Sequence, residues 1–275
     1  MSLAIFTILP LKTFIIILAG TCLAGVVCSL MGTFIVRMKL TSLGFCMSHA
    51  AFAGSALGLA LSLPPLWFAL AFSILVALIL GPLTEQSRLQ PEIILGILFS
   101  LTMALGLTFL NFIPDSALSS TAMSILWGSI LGISSLEVWY LAILTFSITV
   151  IIILFFKEFQ AIAFDRKMAE ASGIPTRPFY YLILFLTGIT VAFSLKLVGG
   201  LLIFALIVNP ASAAYQFFYD FKKILIFSPL FGIFFSLSGL VLSFLLDLPV
   251  GSAIAIVSSF GFGISVLFSP KRRKG

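Results

Sequence analysis

Charge is what this chain has least of. Only 9% of its 275 residues are Asp, Glu, Lys or Arg, where a soluble domain carries about 25%. That shortage excludes a water-soluble globule. With 61% apolar residues, 30 Phe among the whole, the solvent of most side chains must be lipid. Strict apolar-polar alternation is missing as well. The apolar runs extend over ~20 residues without it, which selects helices over barrel strands, the two ways to satisfy a backbone in hydrocarbon. The expectation is all-α: one polytopic helical bundle over residues 1–275, with about eight or nine crossings of a cell (inner) membrane.

Other absences narrow the function. Three cysteines, Cys22, Cys28 and Cys46, all lie in apolar runs without metal-knuckle spacing, so no disulfide framework is implied. No G-x-x-x-x-G-K-[ST] phosphate loop occurs, so any ATP hydrolysis belongs to another chain and this one is not expected to be an enzyme. Acids are absent from the middle of every expected span, which leaves an ion-coupled secondary transporter without coupling groups. The net charge of +6 does not point to nucleic acid, because the bases sit between apolar runs and at the C-terminus, where membrane topology explains them. The first apolar run lacks a basic leader and a small-residue cleavage site, so it is expected to stay as a span.

What remains polar inside the apolar runs is therefore informative. Residues 43–62 contain His49, the one histidine, amid Ser48, Ala50, Ala51, Ala53, Gly54, Ser55, Ala56 and Gly58. A titratable side chain in hydrocarbon faces a bundle interior or a wet path, and small neighbours let other helices approach closely. His49 is either a pathway residue or an interhelical hydrogen-bonding residue. Cys46, three residues earlier, can share its face. A second polar break is Asn209 before Pro210, which predicts a broken helix lining a cavity; Asn209 offers a carbonyl oxygen to the path, or a bond to another helix.

Spans are expected from about residue 11 to 36, over 43–62, up to 83, up to 111, 137–156, 179–196 with 197–217 as a tight pair hinged at Gly199 and Gly200, up to 246, and 250–268. Residues 84–92 form a polar hinge. Residues 112–135 are expected as an outer loop with a short interfacial or re-entrant helix over 125–131. Residues 157–178 form the longest polar segment, with a helix over 165–171, Asp165 as its N-cap, and a stop at Ser172, Gly173 and Pro175. If that segment is cytoplasmic, all 15 basic residues except Lys12 and Lys196 fall inside. The positive-inside rule then places the C-terminus in the cytoplasm.

Four motifs in order resemble the manganese/zinc/iron permease family of ABC importers. They are Arg37, Gly44, Ser48, His49, Ala50 and Gly54; Phe164, Asp165, Ala169, Ala171, Gly173 and Ile174; Val198, Gly199, Leu201, Leu202, Pro210, Ala211 and Ala214; and Asp247, Leu248, Pro249 and Gly251. The resemblance covers nearly the whole chain. It implies a homodimeric permease that binds a cytoplasmic ATP-binding subunit dimer and receives a divalent metal ion as cargo from an extracytoplasmic solute-binding protein. No permanently bound cofactor is implied. Ser48, His49, Cys46 and Asn209 would line the path, with His49 and Cys46 as metal ligands. Phe164, Asp165, Ala169 and Gly173 would form the coupling surface for the ATPase. One position departs: where the family has Asp four residues before the histidine, this chain has Phe45. A softer nitrogen and sulfur pair would suit zinc or a later transition ion, and a metal chelate or other small organic ligand is the alternative cargo.

Overall fold

The computed structural model describes residues 10–87, 89–113, 134–200 and 203–271. Eleven helices run through them: α1 Leu11–Arg37, α2 Thr41–Ala60, α3 Pro65–Ser87, α4 Pro91–Leu110, α5 Ser135–Leu154, α6 Phe156–Phe164, α7 Arg166–Ala171, α8 Thr176–Val198, α9 Ile203–Phe217, α10 Phe221–Leu246 and α11 Val250–Leu267. Eight of these are long and apolar enough to cross a membrane. The expected loop over 112–135 lies almost wholly outside the described residues, and the helix expected over 125–131 lies entirely outside them.

Two helical bodies pack side by side. In the first, α1 packs against α9 and α10, and α11 closes on α9 and α10. Its helices approach at backbone distance because the crossing residues are small. A Cβ placed on Gly25 of α1 would lie 2.6 Å from the Gly232 carbonyl oxygen of α10, while Ser228 Oγ donates to the Ser29 carbonyl at 2.8 Å. In the second body, α2 lies between α3 and α4. A Cβ on Gly54 would sit inside the Phe68 carbonyl of α3, and one on Gly106 of α4 would meet the Phe52 ring at 2.7 Å. Without a hydrophobic drive between helices in lipid, such small-residue contacts carry association. The helix α8 bridges the bodies, with Gly188 against Ser73 of α3 and Ser194 accepting from the Cys28 thiol of α1 at 3.5 Å.

Four expectations change. The hinge over 84–92 is shorter, because α3 continues to Ser87; Thr84 and Ser87 turn their hydroxyls back to the Leu80 and Leu83 carbonyls and so remain helical. A separate amphipathic helix, α6, precedes the expected one at 165–171. The break expected at Pro210 does not occur: α9 is continuous through it. The missing proline N–H costs one intrahelical bond, and a buried Pro210 packed among neighbours retains the helix.

The second half of the tight pair is also not a full span. Its helix has 15 residues, about 22 Å at the helical rise, against about 30 Å of hydrocarbon. The turn before it, capped at Gly199 with φ +90°, reaches into the bundle. A Cβ on Gly200 would lie 3.6 Å from the Ser48 carbonyl and from Phe52 Cβ. The short helix thus begins level with the middle of α2.

Candidate transport path and coupling surface

Because α2 is enclosed by α3, α4 and α9, its polar residues Ser48, His49 and Ser55 are buried. His49 is 3% exposed. Its Nδ1 lies 2.9 Å from the Phe45 carbonyl oxygen, one turn earlier, and 3.4 Å from Ser48 Oγ. Ser48 Oγ itself donates to the same carbonyl at 2.8 Å. A carbonyl can only accept, so Nδ1 carries the proton and a neutral ring keeps its basic lone pair on Nε2.

Aromatic rings surround that imidazole. Phe99 of α4 meets it edge-on at 4.7 Å and Phe45 does so at 4.6 Å. Phe45 and Phe99 stack on each other at 4.7 Å, and Phe204, in the first turn of α9, closes on Phe45 at 5.8 Å. Phe45 is half-buried and occupies the face on which a carboxylate would precede His49. Cys46 is fully buried. Among the described residues no group of three His, Cys, Asp or Glu side chains could hold a metal ion. The chemistry available here is one imidazole lone pair among soft aromatic faces.

Asn209 is placed elsewhere. Its Nδ2 donates to Ser258 and Ser259 of α11 at 3.0 and 3.1 Å, so its amide joins α9 to α11. The neighbouring Ile207 faces the other way, against Gly44 of α2. The structure brings His49, Ser48 and Phe45 together with Phe99 and Phe204, and it ties Asn209 to the opposite side of α9.

At the basic end of the bundle lies the polar connector. Asp165 caps α7, its Oδ1 accepting from the Lys167 and Met168 amides at 2.8 and 3.0 Å. Gly173, at φ +83°, ends it, with the Ile174 amide returning to the Ala169 carbonyl at 3.1 Å. Ala169 is buried while Met168 is 71% exposed, so this six-residue helix presents Met168 between the exposed Lys167 and Glu170 on a fixed base. Phe164 holds the base to α1 and α10, under the Arg37 guanidinium at 4.0 Å and against the Phe221 ring at 6.0 Å. Composition alone did not reveal a further anchor, Glu85 at the end of α3: its Oε1 meets Arg166 at 3.2 Å and its Oε2 meets Arg177 at 3.1 Å. Nearby, Lys271 Nζ binds the carbonyls of Tyr215 and, at 2.9 Å, Phe218 at the end of α9. Burial, and secondarily the Arg37 charge, hold that ammonium below the ordinary lysine range.

The opposite end has a different character. Glu137 and Ser134 form a reciprocal cap on α5, and Glu137 also pairs with Lys196 of α8 at 2.9 Å. Beside this pair a pocket of ≈ 550 Å³ is lined by Pro64, Trp67, Tyr140 and Phe193.

Comparison with known proteins places this architecture. The profile described as the ABC 3 transport family matches residues 12–269. The chain is 33% identical over 250 residues to the manganese transport system membrane protein MntC of Listeria monocytogenes, covering 90% of this chain and 88% of that one. It is 29% identical over 249 residues to the manganese import system permease protein ScaB of Streptococcus gordonii, with the same coverage of 90% and 88%. Among solved structures, PsaBC from Streptococcus pneumoniae in complex with Fab matches with a TM-score of 0.82 and 29% identity, over 94% of this chain and 92% of that one. An inward-facing conformation of a putative metal-chelate type ABC transporter shares the fold, with a TM-score of 0.72 at 18% identity over 92% and 84%.

Proposed function

Because the chain belongs to the ABC 3 transport family, we propose that it is the membrane permease subunit of an ABC importer whose cargo is a divalent transition metal ion. The basic end is its cytoplasmic face, where the exposed side of α7 with Phe164, Asp165, Ala169 and Gly173 docks on an ATP-binding subunit dimer. An extracytoplasmic binding protein delivers cargo to the opposite end. Two copies of the chain form the path, and the chain itself hydrolyses nothing.

The observation that supports the reading best is His49, a lone imidazole 3% exposed in the middle of a spanning helix, with Nδ1 committed and Nε2 left as a donor. His49→Ala is expected to reduce metal accumulation to the background of a permease deletion while the complex with the ATPase still purifies intact. Wild-type accumulation in that variant removes His49 from the path.

The Phe45 and Phe99 stack favours a second reading of the cargo. Rings supply no donor to replace the water of a bare hard ion such as manganese, which prefers oxygen ligands. A late ion that seeks imidazole, or a metal already wrapped in an organic chelator, suits this lining. Metal analysis of the purified binding protein separates these: a bare-ion system retains stoichiometric metal without an organic ligand.

A further inference from the structure

The connector between α5 and α8 is fastened at two places, and each place belongs to a different helical body. Phe164 and α6 hold to the first body: Phe164 lies under Arg37 of α1 and against Phe221 of α10, and Phe159 packs on Phe34 of α1 at 5.6 Å. Arg166 of α7 holds to the second body through the carboxylate of Glu85 on α3, which also pairs with Arg177 in the first turn of α8. Arg166 is further oriented by the Tyr180 ring at 4.7 Å.

We infer that Glu85 is the positioning residue through which the inner connector moves the helix that carries His49. This rests on the permease reading above. The mechanical path is short and contiguous. Glu85 lies two residues before the end of α3, and the N-terminal half of α3 is keyed to α2. Gly54 is pressed on the Phe68 carbonyl, Gly58 on Pro65, and Ser73 Oγ donates to the Met47 carbonyl at 3.4 Å. Closely packed helices without spare volume move as one body. A displacement of α7 that drags Glu85 therefore carries α3 and α2 together, relative to the body held at Phe164. The seam that would open lies between α2 and α9, where Phe45 meets Phe204 and Gly44 meets Ile207, one turn from His49.

Glu85 and Arg166 are each about one-third exposed and Arg177 is 72% exposed. Ion pairs this wet add little to stability, so the variant is expected to fold. Its effect should appear in coupling instead.

The test uses the full permease with its ATPase and binding protein in proteoliposomes. Glu85→Gln is expected to lower metal moved per ATP hydrolysed by about tenfold, with the basal hydrolysis rate kept within about twofold. Reversing all three charges, Glu85→Arg with Arg166→Glu and Arg177→Glu, is expected to restore most of the ratio. A second readout does not depend on cargo. Spin labels at Gln86 on α3 and Lys39 beyond α1, on a background without native cysteines, are expected to show an ATP-dependent change in separation that Glu85→Gln abolishes. An unchanged metal-to-ATP ratio, a parallel loss of transport and hydrolysis, or a wild-type label movement that survives Glu85→Gln would each overturn the inference. If the wild type moves no metal but its labels still respond to ATP through Glu85, the cargo reading fails and the inference stands.

Discussion

The first helical body and the seam between the two bodies are held by different chemistry. Within the first, hydrogen bonds cross from helix to helix: Ser228 to Ser29, Tyr215 Oη to the Thr33 carbonyl at 2.9 Å, and Asn209 to Ser258 and Ser259. At the seam between the bodies, the partners are a ring on a ring and an isoleucine on a glycine. Hydrogen bonds are directional and lose their energy within a few tenths of an ångström or a few tens of degrees. Apolar contact is non-directional and tolerates sliding. The stitched body is thus suited to stay whole, and the seam is suited to part.

Substitutions sharpen that contrast. The largest effect is expected from Gly25→Val, whose Cβ would meet the Gly232 carbonyl at 2.6 Å. Overpacking of this kind, against backbone that cannot yield, is expected to cost about 3 kcal/mol, read as a lower unfolding temperature of the detergent-purified permease. Ser228→Ala removes one stitch from the same crossing and is expected to cost about 1 kcal/mol in the same assay, with transport by the folded fraction unchanged. Equal losses of transport and stability in Ser228→Ala would mean that this body also moves.

Much of this architecture was legible in the sequence. Long apolar runs bounded by Arg37, Pro64 and Asp247 gave the spanning helices, because length and hydropathy decide crossing in lipid. The Asp165 cap and the Gly173 stop followed from local backbone chemistry alone. His49 stood out by rarity. Depth was not legible: residues 197–217 read as a full crossing interrupted at Asn209 and Pro210, and only packing of Gly200 against Ser48 reveals that α9 starts inside the bundle. Partnership was not legible either. Glu85 and Arg166 are 81 residues apart, and no local periodicity links them. Asn209 stood out as a polar group in hydrocarbon, but which neighbour it serves depends on the rotation of α9, which Ile207 against Gly44 fixes.

The seam itself offers the most direct measurement. A Cβ on Gly44 would lie 3.9 Å from Ile207 Cβ, within the spacing that a disulfide bridges without moving the backbone. The double variant Gly44→Cys with Ile207→Cys, with Cys22, Cys28 and Cys46 replaced by alanine, can be oxidised in proteoliposomes with the ATPase and binding protein present. Metal transport is expected to stop on oxidation and to return on reduction. Transport at the reduced rate by fully cross-linked protein would contradict it.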